Sequence, residues 1–103
     1  MSSNVFVKSG RVLDLLAPTV SASVTGPWMF KDAPQSTIQV VGTAATTVIF
    51  DVSNDGTNSV ATSLGTVTLG AAGSDGFTTT APWKYIRARV VSNSGTVSAF
   101  LCN

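Results

Sequence analysis

Apolar and polar residues alternate with a period of two along most of this chain, as they do in strands with one buried face. In the stretch Thr46–Val52, Val48, Phe50 and Val52 fall on one side and Thr47, Ile49 and Asp51 on the other. Trp83–Val91 repeats the pattern, with Ile86, Ala88 and Val90 alternating against Tyr85, Arg87 and Arg89. Ser92-Asn93-Ser94-Gly95 then reads as a hairpin turn, and Thr96–Leu101 as its antiparallel return. A further strand falls at Thr37–Val41, with weaker ones near Ser59–Ser63 and Thr66–Leu69 and a short edge piece at Phe77–Thr80. Val20, Ala22 and Val24 alternate with Ser21, Ser23 and Thr25, and Asn4–Lys8 is a short extended piece.

Turn chemistry separates these runs. Gly26-Pro27, Lys31-Asp32-Ala33-Pro34 and Ser53-Asn54-Asp55-Gly56 are turn signals, and Gly70–Gly76 reads as loop. No window spaces apolar residues at i, i+3, i+4 and i+7 with helix formers between them. The best helical candidate, Arg11–Ala17, stops at Pro18. The pattern predicts an all-β domain, an antiparallel β-sandwich or jelly-roll-like barrel of about eight short strands. Residues 1–18 are expected to form an N-terminal arm or an edge strand, and residues 19–103 a single β-sandwich domain. Val48, Phe50, Ile86, Val90, Val97 and Leu101 are the predicted core.

Composition narrows the chemistry. The 103 residues contain no His, and the only acids are Asp14, Asp32, Asp51, Asp55 and Asp75. A His-centred triad, a Glu-based acid/base pair and a Cys/His metal cluster therefore cannot form within one chain. The expectation is no enzyme, no catalytic residue, no cofactor and no required metal. Net charge is +1, so self-repulsion does little to oppose association. That suits a protein packed in many copies on a surface. Lys84, Arg87 and Arg89 cluster, but three cations make no basic stripe, so no nucleic acid is expected. The longest apolar run falls far short of the roughly 18 residues of a membrane span. Met1-Ser2-Ser3-Asn4 has neither a basic nor an apolar signal region. The single Cys102 forms no intrachain disulfide, which fits synthesis in a reducing cytoplasm.

Three constellations merit a structural test. Asp51-Val52-Ser53-Asn54-Asp55-Gly56 opens like a calcium loop, but Thr62 stands where the closing acid belongs, and the flanks read as strands. The bland alternative is an Asx-rich β-turn. The Tyr85, Arg87, Arg89 face offers either an anion or acidic-partner site, or a solvated face paired with Asp residues on a neighbouring strand. Trp28 and Trp83 each sit beside a proline. Exposed, they would make an interface anchor or sugar-stacking platform; buried, they would close the ends of a sandwich. The candidate partner-binding residues are Trp28, Trp83, Tyr85, Arg87 and Arg89.

The segments Val52-Ser53-Asn54-Asp55-Gly56-Thr57-Asn58, Trp83-Lys84-Tyr85-Ile86-Arg87-Ala88-Arg89-Val90 and Asn93-Ser94-Gly95-Thr96-Val97-Ser98, with the apolar end at Leu101, resemble small structural proteins of tailed bacteriophages. The resemblance covers Thr37–Leu101 and is similar in kind to capsid decoration (cement) proteins. It implies a virion structural role at the capsid surface, with the major capsid protein as partner, a homo-oligomeric state and synthesis in the host cytoplasm. It carries over no catalytic residue. The alternative is a tail or fibre component whose β-sandwich binds a glycan or receptor through Trp28, Trp83, Asn54, Asp55 and Asn58.

Overall fold

A computed structural model describes residues 12–31 and 35–102. Among them are nine strands: β1 (Val12–Thr19), β2 (Val24–Thr25), β3 (Met29–Phe30), β4 (Ser36–Gly42), β5 (Thr46–Ser53), β6 (Gly65–Leu69), β7 (Gly73–Thr79), β8 (Tyr85–Asn93) and β9 (Val97–Cys102). Every pairing is antiparallel. One sheet runs β1-β9-β4-β7 and the other β2-β8-β5-β6, with β3 also on β8. β2 and β3 lie along the same edge of β8, Val24 opposite Val90 and Met29 opposite Ile86. They are one edge strand interrupted at Gly26-Pro27, where Pro supplies no N–H to a ladder. Taken as one strand, they complete two four-stranded sheets. Apart from that interruption, every connection except β5–β6 crosses between the sheets. This is jelly-roll connectivity in a two-sheet sandwich.

The predicted core residues Val48, Phe50, Ile86, Val90, Val97 and Leu101 are all at most 1% exposed. Strand alternation places them between the sheets, together with Leu15, Ile38, Val40 and Ala88. Phe50 of one sheet meets Phe77 of the other edge-to-face, with centroids 5.7 Å apart, so this aromatic pair ties β5 to β7.

Several elements differ from the pattern reading. Arg11–Ala17 contributes to no helix within the described residues; Val12–Thr19 is the edge strand β1, paired with β9. Val12, Leu15 and Leu16 mimic helical spacing. Register shifts between Asp14 and Leu16, and again before Thr19, let the adjacent Leu15 and Leu16 both face inward. Pro18 is tolerated because β1 is an edge. Val20 and Ala22 belong to no strand, and Val20 is exposed. Residues 59–63 are loop, tied back by Val60 N–H to the Val52 carbonyl (3.1 Å). The extended piece at Asn4–Lys8, and Asp32-Ala33-Pro34 of the predicted turn, lie outside the described residues.

Ser92–Gly95 is not a hairpin. Both edges of β8 are already paired, by β5 and by β2/β3, so the chain must leave that sheet. It arches against the β4–β5 link instead. Ser94 N–H donates to the Ala45 carbonyl (2.9 Å), and Thr96 N–H to Thr43 Oγ1 (2.8 Å).

Gly73–Gly76, read as loop from its composition, is the first half of β7 and pairs in register with β4. A Cβ on Gly76 would collide with the carbonyl oxygen of Ile38, so glycine is required by close backbone approach. Gly76→Ala is expected to cost about 1–3 kcal/mol through overpacking. Chemical denaturation would show it as a lower midpoint with an unchanged slope.

Candidate functional site

The outer face of the β2/β3-β8-β5-β6 sheet gathers the chain's described arginines. Alternation on β8 turns Tyr85, Arg87 and Arg89 outward while Ile86, Ala88 and Val90 go to the core. On β5, Asp51 stands opposite Arg87, and Ile49 opposite Arg89. Asp51 Oδ2 accepts from Arg87 Nε (3.1 Å) and Arg89 Nε (3.0 Å), and Oδ1 from Arg89 Nη2 (3.2 Å). The Asp51 side chain is only 6% exposed, although it lies on the outer face, because the two guanidinium groups cover it. The expected pairing with an Asp on a neighbouring strand is thus present, and Asp51 is that residue.

Burial alone would raise the Asp51 pKa. The hydrogen bonds and charges of Arg89 and Arg87 outweigh it and hold the carboxyl below its usual range. The bond to Asp51 in turn raises the pKa of Arg89. Because the folded pKa of Asp51 is depressed, its contribution to stability is complete above the unfolded value, about 3.9. It is lost as pH falls from there through the folded pKa. Asp51→Asn is expected to cost about 1–3 kcal/mol at neutral pH. The effect should sit toward the lower end, since the arginines keep solvent contact that screens the pair. The variant should also lose stability less steeply below about pH 4. Denaturation midpoints measured across that range test both effects.

The loop between β2 and β3 brings Trp28 over Arg87, whose Cζ is 4.5 Å from the ring centroid. That is cation–π range. Phe30 on β3 pairs with Tyr85 on β8, edge-to-face at 5.7 Å, and is 50% exposed. The structure therefore brings together four of the five sequence-predicted residues: Trp28, Tyr85, Arg87 and Arg89. Trp83 stands apart. It precedes β8, packs partly against the core and lines an open depression with Asn54 and Pro82. Both Trp residues are half-buried, between the two alternatives drawn from sequence.

Sequence reasoning missed two residues. Phe30 carries no motif beyond its place after Gly26-Pro27-Trp28. Lys31, read as a turn residue, is buried; its Nζ donates to the Ala81 carbonyl (2.7 Å) and burial lowers its pKa. That bond fastens the end of β3 to the segment entering β8.

The calcium-like loop is organised around N–H donors. Asp55 Oδ1 accepts from the backbone of Thr57 and Asn58 (both 2.8 Å), and Oδ2 from Asn58 Nδ2 (3.0 Å). Ser53 Oγ donates to Asp55 Oδ1 (2.7 Å). The amides of Asn58 and Thr57, with Ser53, hold the Asp55 pKa well below the carboxylate range. Gly56, at φ +73°, closes the turn against the Tyr85 ring. Asp51, the first position of the motif, faces the arginines. Asp55 caps the amides of its own turn, which is the Asx-turn arrangement.

No protein-family model matches the sequence, and no curated protein matches it. The topology makes this a two-sheet, all-β protein. It is similar to the crystal structure of SPBc2 prophage-derived protein YomS, with a TM-score of 0.70 over 90% of each chain and 12% sequence identity. Identity that low carries the fold alone.

Proposed function

We propose that this chain is a structural protein of a bacteriophage virion, and specifically a decoration protein that binds the outside of the assembled head. The observation that supports the reading is the likeness of this fold, over 90% of each chain, to that of a protein whose name calls it prophage-derived. It agrees with the phage-like segments of the sequence. The pre-assembled Trp28–Arg87–Asp51–Arg89 face, flanked by the exposed Phe30, supplies a contact surface. Mechanistically, each domain bridges neighbouring major capsid protein subunits and adds buried area across seams that internal pressure would open. A modest gain per contact becomes large when repeated over a shell. Homo-oligomerisation at capsid symmetry axes fits the same role.

The test is to mix purified protein with heads that lack it, sediment them and count copies. Many copies per head, retained in moderate salt and accompanied by greater heat resistance, are expected. Apolar contact should dominate, because exposed ion pairs are weak and screened by salt.

One observation favours a second reading, a tail or fibre component that recognises a glycan. Asn54, Pro82 and Trp83 line an open depression. Asn54 Oδ1 accepts from Lys84 N–H (3.1 Å), which directs its Nδ2 to other acceptors. A ring face beside an amide donor suits a sugar. Few copies, confined to the tail, would select this reading.

A further inference from the structure

We propose that Arg87 is a carboxylate-binding anchor, and that the surface around it takes an acidic side chain flanked by an apolar one on a partner protein. The identity of that partner as a capsid subunit rests on the reading above. The chemistry rests on the geometry of this face.

A guanidinium has five N–H donors. Arg87 spends Nε on Asp51, and its Nη1 and Nη2 donors meet no acceptor among the described residues. Arg89 is used differently: Nε and Nη2 both go to Asp51, which makes it the supporting member. The Arg87 side chain is 23% exposed. It is fixed at the Nε edge by Asp51 and across the plane by Trp28, at 4.5 Å. A side chain held on two sides has little freedom left to lose on binding. The Nη1 and Nη2 donors left over have the spacing that binds a carboxylate bidentately.

Charge complementarity selects the occupant. Arg87 and Arg89 against Asp51 leave one positive charge on the face. One further carboxylate balances it. A polyanion would need a longer cationic track than this surface offers. Phe30, half exposed and braced against Tyr85, provides an apolar wall on the same face. Trp, Tyr, Phe and Arg are the residue types enriched at interface centres. The complement is therefore an acidic residue next to an apolar one, displayed on a protein surface.

The experiment titrates the isotope-labelled full chain with a capped Phe-Glu-Phe tripeptide, its Phe-Gln-Phe counterpart and inorganic phosphate, following the Arg87 guanidinium and Trp28 indole signals. The acidic peptide should move both signals saturably, with the Gln peptide and phosphate weaker by about tenfold or more, as expected when one member of a charge pair is lost. Arg87→Gln and Arg87→Lys, shown to be folded by their amide spectra, should lose the same factor, and Lys84→Gln should not. Equal response to Gln peptide or phosphate, or unaltered binding by Arg87→Gln, would overturn the proposal. Sedimentation with heads separates the two levels. If the wild type and Arg87→Gln attach equally, the anchor is refuted and the capsid reading stands. If the wild type binds the acidic peptide but not heads, the anchor stands and the capsid reading is refuted.

Discussion

Phe50→Ala is expected to remove a large share of the stability of the isolated chain. Phe50 is fully buried at the centre of β5 and makes the edge-to-face contact that joins the two sheets through Phe77. Truncating a buried Phe costs about 3–5 kcal/mol, from lost transfer energy and from the cavity left behind. A domain of this size has only about 5–15 kcal/mol in hand, and its sandwich is thin, with extents of 42 × 34 × 18 Å. Little second-layer packing is available to collapse into the hole. Denaturant melts should show a much lower midpoint or no folded baseline. A cooperative transition at the wild-type midpoint would mean that the inter-sheet contact does not hold the sandwich together. Phe50→Leu, which keeps most of the volume, should retain the fold with a smaller loss.

Removing residues 1–17 is expected to unfold the domain, whereas removing residues 1–11 should leave all nine strands. The first deletion takes Leu15 and Leu16 out of the core and strips most of β1 from β9, including the pairs Val12–Cys102, Leu13–Leu101 and Asp14–Phe100. Two buried leucines alone represent several kcal/mol, at about 1.5–3 kcal/mol each. The freed edge of β9 would also become a template for association. Circular dichroism and amide dispersion of the two truncations distinguish them. If the shorter chain folds as well as the longer one, β1 contributes nothing to the sandwich. An attachment role for the N-terminal region is accordingly tested by removing residues 1–11, which leaves the sheet intact.

The central strands β5 and β8 were legible because their apolar residues recur at every second position and each strand is paired on both sides. Val48, Phe50, Ile86 and Val90 reached the core as the period-two pattern predicts. The edges were not legible. Leu15 and Leu16 both face inward only because bulges break the register, and the same spacing fits a helix turn. Gly73–Gly76 has loop composition, yet close approach of the Ile38 carbonyl requires its glycine. Tertiary position decides both cases. Ser92-Asn93-Ser94-Gly95 signals a turn, but its direction depends on β8 having both edges occupied, a fact of topology that no local signal carries. At the candidate site, alternation alone placed Tyr85, Arg87 and Arg89 on one face. The convergence of Arg87 and Arg89 on Asp51 follows from a β5–β8 register set across 36 to 38 residues of sequence. Trp28 joined them through the break in the β2/β3 edge, and Trp83 did not, because it lies outside the strand.

Electron microscopy of the parent virion, with this chain located in the map, tests the functional account most directly. Density for the jelly roll is expected on the outer head surface in many symmetry-related copies, with the Trp28, Phe30 and Arg87 face turned toward the capsid subunits. Density confined to the tail, a chain absent from the particle, or a head-bound domain with that face turned to solvent would contradict it.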